Sequence, residues 1–330
     1  MLKVLALPRG DTILERDVKL LRKHFEVRTA PTINHRKPIL GILEIFRGTL
    51  WADITFSWFA DSHAFFAVLF SKLLRKKSIV VVSGYEVAKE PEINYGAMLN
   101  PIYAWVIKFV LNHADKLFAV SEFTKNEILK YTNNKNIEIM CGSTIDHEKL
   151  KSNNKKENLV ITTSTFVNHS TIKRVGFETF TRVAEQMPNV NFVLIGKLVD
   201  NSIEYLKKSI PPNLTITNSV SEEEMLRWYQ KAKVYCRLSY YDAFAVALVE
   251  AMICECIPVT TNKGALPDIV GNTGFYVPYG DSEATVEAIQ KALTSNKGKE
   301  ARERIEGMFL LDKKEKILAE IGARKDRWNN

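Results

Sequence analysis

The chain of 330 residues holds only four cysteines, Cys141, Cys236, Cys254 and Cys256. They are too few and too irregularly spaced for a disulfide framework. Cys254 and Cys256 stand in the apolar run from Ala251 to Ile257, so they read as buried thiols. No further ligands at matching spacing complete a zinc site, and no metal is expected. This usage fits a reducing, cytoplasmic setting. No stretch reaches the roughly 18 apolar residues of a membrane-spanning helix. The most apolar region, Ile54 to Leu74, is bounded or interrupted by Asp53, Asp61, His63 and Lys72. The apolar run at the N-terminus is too short for a signal peptide. There is no close internal repeat, no low-complexity tract and no aromatic-basic recognition motif, which argues against a nucleic-acid partner.

Hydrophobic residues make up 46% of the chain and charged residues 25%, enough for each half to bury a core. The length suits two domains. A formal net charge of +8 puts acidic partners within reach: nucleotides, phosphosugars or an anionic membrane.

Short β-rich runs alternate with helical patterns. Strands are expected at Lys3–Leu7, Ile54–Trp58, Ile79–Ser83, Lys116–Val120 and Ile137–Cys141, with helices such as Ser62–Arg75, Pro101–Ala114 and Glu122–Tyr131. Alternation of this kind predicts a parallel sheet covered by helices on both faces. A polar break from Lys149 to Glu157 reads as a linker. Beyond it, strands are expected at Leu159–Thr163, Asn191–Ile195, Leu214–Thr217, Val234–Arg237, Pro258–Thr261 and Gly274–Val277. Helices are expected at Phe177–Gln186, Ser221–Lys231, Phe244–Ile253 and Glu283–Ser295, with Ser221 and Glu224 spaced as a capping box. The expected architecture is α/β: two Rossmann-like, doubly wound domains, 1–150 and 151–311, facing across a cleft. A final charged helix within 312–330 crosses back to the first. Such sheets bind ligands at the C-terminal ends of their strands.

The informative stretch runs from Ser239 to Met252. A strand ends near Leu238, a loop carries Asp242, and Glu250 follows eight residues later inside an apolar helix. A buried acid there needs a hydrogen-bonding partner, and sugar hydroxyls are such partners. The helix N-terminus suits a phosphate or polar sugar. The plain alternative is an N-cap at Asp242 and an exposed Glu250.

This stretch resembles the nucleotide-sugar signature of glycosyltransferase family 4, Glu-x-Phe-Gly-x-x-x-x-Glu-Ala-Met. The segments Cys254–Val259, Gly264–Val270, Gly274–Val277 and Gly280-Asp281 follow in the family's order. Upstream, Ala114–Ser121 and Ser221–Ala232 are similar to two more of its runs. The resemblance covers roughly 50–300 and points to a microbial subgroup of these group 1, glycogen-synthase-like enzymes of the GT-B type. It implies retaining, metal-independent glycosyl transfer from a nucleotide sugar such as a UDP- or GDP-sugar, with no cofactor. The absence of any Asp-x-Asp agrees, since metal-dependent GT-A enzymes use one. By motif position, Asp242 would contact hydroxyls of the donor sugar and Glu250 the ribose. Backbone N–H groups around Ala243, Phe244 and Ala245 would touch sugar or diphosphate, and Val220 would border the base. The leaving diphosphate calls for fixed cations, and Lys173 with Arg174 are the candidates. A basic pair opening a helix opposes its dipole, so an anion there would make sense; the alternative is a solvated pair.

The sequence also departs from the family. Asp242 replaces its first Glu, Ala243 and Ala245 replace two glycines, and the N-terminal Gly-rich loop is reduced to Pro8-Arg9-Gly10-Asp11, leaving Gly10 as its one candidate. These changes keep a catalytically degenerate partner protein open, and a nucleotide-sugar epimerase of the same fold, binding the same donor, is the runner-up enzyme. In the first half, His63 and Glu86 follow expected strands, where they would bind substrate or move a proton; for His63 the alternative is a structural histidine. Acceptors in view are a glycan, a lipid-linked glycan or another hydroxyl compound. The segment Phe65–Leu74, followed by Arg75-Lys76-Lys77, reads either as a membrane-surface helix with basic flanks or as a buried crossover helix. Peripheral contact with the inner face of the membrane is expected on the first reading.

Overall fold

The computed structural model describes residues 1–7, 12–30, 33, 38–140, 150, 155–200, 210–309 and 313–322. The chain divides into two compact units, Met1–Thr144 with Leu311–Asn330, and Ile145–Leu310.

The first unit runs β1 (Lys3–Leu7), α1 (Thr12–Arg22), β2 (Glu26–Thr29), α2 (Pro38–Trp51), β3 (Ile54–Trp58), α3 (Ser62–Leu73), β4 (Lys77–Val82), α4 (Pro101–His113), β5 (Lys116–Ala119), α5 (Glu122–Leu129) and β6 (Ile137–Ile139). Its strands pair in parallel in the order β2-β1-β3-β4-β5-β6. Every residue of β3 is buried although Ile-Thr-Phe-Ser-Trp alternates, so both faces of the strand are covered. β2 is a largely exposed edge strand, and nothing in Glu-Val-Arg-Thr announces a strand. Its charges suit an edge, where they discourage pairing with another chain.

α3 packs between α2 and α4. Its Ala64, Ala67, Val68 and Ser71 are buried, and the Ser71 hydroxyl meets that of Thr55 on β3 at 2.9 Å. The segment Phe65–Leu74 is therefore a crossover helix. Two of the three residues of its basic flank are engaged by the protein itself. The Lys76 ammonium donates to the carbonyls of Thr49 and Leu50 at 2.8 and 2.6 Å, closing the C-terminus of α2. Lys77 is held by an acid described below.

The second unit runs β7 (Glu157–Val167), α6 (His169–Val175), α7 (Phe177–Gln186), β8 (Asn191–Leu198), β9 (Leu214–Thr217), α8 (Glu222–Lys231), β10 (Ala232–Arg237), α9 (Val246–Ile253), β11 (Ile257–Thr261), α10 (Leu266–Val270), β12 (Phe275–Val277), α11 (Ser282–Thr294) and α12 (Gly298–Phe309). The parallel order is β12-β11-β10-β7-β8-β9. Alternate residues feed two cores, one on each face: Val160, Leu194 and Val234 on one side, Ile161, Val193 and Tyr235 on the other. Ser221 caps α8, its hydroxyl accepting from the Glu224 N–H at 3.2 Å. Cys236, Cys254 and Cys256 are buried free thiols, and burial pushes Cys254 up to about 12. Cys141 lies outside the described residues.

After this unit the chain returns to the first as α13 (Lys313–Gly322), fastened by charge. Glu320 takes the Lys77 ammonium at 2.5 Å and that of Lys116 at 3.4 Å, and Lys316 donates to the Ile139 carbonyl at 2.8 Å. Partial burial raises the Glu320 carboxyl, but Lys77 and Lys116 outweigh it and hold it below its ordinary 4.5. A lowered carboxyl stabilises the fold above its unfolded value, and that contribution vanishes as pH falls through the folded value. Glu320→Gln is therefore expected to cost about 1 kcal/mol at neutral pH and nothing near pH 2 (roughly), where both forms are uncharged. Denaturant melts of both proteins across that pH range check this; a gap that persists in acid contradicts it.

Candidate functional site

In the second sheet the strand order reverses between β7 and β10. A doubly wound sheet opens a crevice there, at the C-terminal ends of the strands. β10 ends in Arg237, and the loop to α9 leaves from that point. β7 carries a register shift between Thr163 and Phe166, a bulge of the kind that re-aims a strand end next to a site.

The loop is shaped from below by one buried ion pair. Arg237 Nε donates to Asp242 Oδ2 at 2.6 Å and Nη2 to Oδ1 at 3.2 Å, while Nη1 donates to the Thr163 carbonyl at 2.9 Å. Arg237 is 8% exposed and Asp242 5%. Burial by itself pushes the Asp242 carboxyl up; Arg237, with Arg174 nearby, reverses this and holds it below the usual carboxylate range. The backbone of Asp242 is held as well. Gly264 sits at φ +58°, and a Cβ there would stand 2.3 Å from the Asp242 carbonyl oxygen, so only glycine fits. The next residue, Ala265, donates its N–H to that same carbonyl at 2.7 Å.

Asp242 is not an N-cap. α9 starts after Ala245, and no side chain caps it. The Leu248 and Val249 N–H groups turn back to the Ala245 carbonyl, both at 3.1 Å. The helix begins two residues later than expected because the Ala243–Ala245 segment belongs to the braced loop. Ala243 and Phe244 are half-buried and Ala245 is buried. Phe244 packs on the same core as Val220, which lies just ahead of α8. Glu250 projects from the middle of α9, half-buried, and accepts from the Tyr229 hydroxyl of α8 at 3.3 Å. Burial first and the Glu250 charge second raise the Tyr229 phenol well above its usual value, so it stays a donor.

Lys173 and Arg174 occupy the last turn of α6, not the start of a helix. The expectation that they oppose a dipole is corrected: a helix C-terminus favours cations. The cause is local. Asn168 and Thr171 form a capping box that starts α6 early, and Gly176 at φ +78° ends it. Arg174 then reaches the loop: its carbonyl accepts from the Tyr240 N–H at 2.8 Å, and its guanidinium donates to the Tyr241 carbonyl at 3.4 Å. Lys173 is exposed beside it, its carbonyl accepting from the Tyr279 hydroxyl at 2.6 Å.

The remaining candidates lie in the first unit. His63 stands in the first turn of α3. Its Nδ1 is 3.1 Å from Asp61 Oδ1, and its Nε2 accepts from the Ile33 N–H at 2.5 Å. Both ring nitrogens are thus committed, with the proton on Nδ1. Glu86 is buried, with Oε1 accepting from the N–H groups of Ala60 and Ser83 and Oε2 from that of Gly84. Burial raises its carboxyl against the pull of those donors. It clips the loop after β3 to the loop after β4. Gly10 lies outside the described residues.

So the structure gathers Asp242, Arg174 and the Ala243–Ala245 loop around the start of α9, with Glu250 farther along that helix and Lys173 and Val220 at the margins. Arg237, Tyr229 and Gly264 complete that arrangement, and none was singled out from sequence for these contacts. A lone arginine closing an apolar strand was the available signal for Arg237.

The family model for glycosyl transferases group 1 matches residues 143–307. A capsular polysaccharide biosynthesis glycosyltransferase of Staphylococcus aureus is 30% identical over 143 residues, 40% of this chain and 37% of that protein. An alpha-galactosylglucosyldiacylglycerol synthase of Streptococcus pneumoniae is 31% identical over 90 residues, 25% and 24% of the two chains. The matched stretches thus span well under half of these relatives. Among solved structures, Anabaena HepE in complex with UDP and glucose is similar at a TM-score of 0.76, with 14% identity over 99% of this chain and 100% of that one. Sucrose-phosphate synthase from Thermosynechococcus elongatus follows at 0.75, also 14% identical, over 100% and 98%.

The buried pair sets a stability prediction. Arg237→Leu leaves the Asp242 carboxylate without its countercharge and is expected to cost about 3–5 kcal/mol. The double variant Arg237→Leu/Asp242→Leu is expected to recover much of that. Urea unfolding of the two variants checks it; a single-variant loss well under 1 kcal/mol (roughly) would contradict a buried pair.

Proposed function

This chain belongs to the group 1 glycosyltransferases, and on that premise we propose that it moves a sugar from a nucleotide-sugar donor to a hydroxyl acceptor, with retention and without a metal. The observation that carries this is the start of α9. An uncapped helix N-terminus, at the switch point of a doubly wound sheet, stands beside Arg174 and is held by a buried ion pair. Such a place takes a diphosphate. HepE, similar in fold, was solved with UDP-glucose, which supports a UDP-sugar as the first donor to try.

On this reading Glu250, steadied by Tyr229, accepts from hydroxyls of the ribose. Val220 borders the base. Arg174 and Lys173 face the negative charge that develops on the leaving diphosphate, as preorganised cations must to accelerate such a step. Asp242 keeps the lone pairs that Arg237 does not use for a sugar hydroxyl, and its main work is to hold the loop that presents Ala243–Ala245. The acceptor is a glycan or a lipid-linked glycan. The names of the two curated relatives, one in capsular polysaccharide and one in a glycolipid, support both classes. The enzyme works in the cytoplasm, at the inner face of the membrane.

The test is a thermal-shift panel of nucleotides and nucleotide sugars in the presence of a chelator. A ligand at about 100 times its Kd adds about 2.7 kcal/mol to stability, so one nucleotide series is expected to raise the melting temperature by a few degrees (roughly). Glu250→Gln is expected to lose most of that shift. An unchanged shift in that variant sinks the Glu250 assignment, and no shift with any member favours a degenerate partner protein. Product analysis without acceptor separates an epimerase from a transferase.

A further inference from the structure

Among the described residues, the exposed large apolar side chains of this protein are not spread evenly. Single ones such as Leu129, Phe166, Val199 and Tyr276 sit on separate elements, as is normal for any surface. The layer α2–α3–α4 is different. Ile39, Leu40 and Leu43 on α2, Leu73 on α3, and Ile102 and Trp105 on α4 are all exposed, Ile102 by 74% and Trp105 by 62%. α3 lies between the other two helices, so one helical sheet of surface carries them. The Trp105 ring is fixed on a row of aromatics, 5.5 Å from Phe65 and 6.3 Å from Phe109. A rigid tryptophan with a free outer face is an interfacial side chain.

The charge on this layer is mostly positive. Across the three helices the sequence holds a single acid, Glu44, against Arg47, Lys72 and Lys108, with Arg75 directly after α3. All four cations are exposed. Lys76, by contrast, is spent inside the protein.

We infer that the solvent face of α2–α3–α4 docks on an anionic lipid surface. Apolar and aromatic side chains enter the headgroup boundary while the cations meet phosphate headgroups. A second copy of the chain fits less well, because a two-fold contact would set the same four cations against themselves. The contact brings the enzyme to the surface where a lipid-linked acceptor resides; only that consequence rests on the proposed transfer reaction.

The experiment is co-flotation of the full chain with vesicles of pure phosphatidylcholine and with vesicles containing phosphatidylglycerol. Binding to the anionic vesicles, weakened by salt, is expected. Lys72→Glu/Lys108→Glu is expected to weaken it about tenfold or more, and Leu73→Ser/Ile102→Ser to weaken it comparably. All of these positions are exposed, and circular dichroism confirms that each variant folds. Nucleotide-sugar thermal shifts are expected to stay as in the parent, so a failed donor site and a failed docking face give different results. No binding of the parent to anionic vesicles, or equal binding to both kinds, overturns the inference. A concentration-dependent dimer that Leu73→Ser/Ile102→Ser abolishes, without vesicle binding, assigns the face to self-association and overturns it too.

Discussion

Everything proposed for the second unit depends on one guanidinium. Arg237 closes β10, and it ties together the Asp242 carboxylate and the Thr163 carbonyl at the end of the neighbouring β7. A carboxylate this deeply buried is costly unless paired and hydrogen-bonded. Paired, it turns a flexible connection into a fixed one. The loop that follows has alanines where its relatives' motif has glycines, and backbone position rather than side-chain chemistry is what such a loop offers a diphosphate.

The first unit uses the same device with a different donor set. There a buried Glu86 gathers backbone N–H groups from the loops after β3 and β4 instead of a guanidinium. In both units, then, a carboxylate at the C-terminal end of the sheet is consumed in shaping loops. Acidic residues at such positions are easily taken for substrate ligands. Their occupied oxygens favour a positioning role; in the proposed function the substrate-facing work falls to the backbone, to Arg174 and to Glu250. His63, with both ring nitrogens engaged, is placed like Glu86, as part of a loop brace.

How much of this was legible in the sequence depended on burial. Strands rich in apolar and β-branched residues were plain; β3, β9 and the Val234–Arg237 part of β10 stand where expected. The edge strand β2 was not, since Glu26 to Thr29 carries no hydrophobic pattern. The ordered match from Asp242 to Gly280 correctly led to the group 1 glycosyltransferases. Local dipole reasoning about Lys173 and Arg174 failed because it ignored the Asn168 cap and the Gly176 terminator, two signals that were present in the sequence. The partner of Glu250, and the Thr163 carbonyl that Arg237 also holds, were out of reach of any pattern. Thr163 and Arg237 are distant in sequence, as are Tyr229 and Glu250, and only the parallel order of the sheet and the packing of α8 on α9 bring them together.

The claim that the Arg237–Asp242 pair presents the start of α9 to a nucleotide-sugar diphosphate is tested most directly by hydrogen exchange at the amides of residues 243–248, with and without a saturating nucleotide sugar whose binding has been measured by calorimetry. Protection concentrated on those amides, and lost together with affinity in Arg237→Lys, is the predicted result. A bound ligand that leaves their exchange unchanged, or that binds Arg237→Lys as tightly as the parent, would contradict the account.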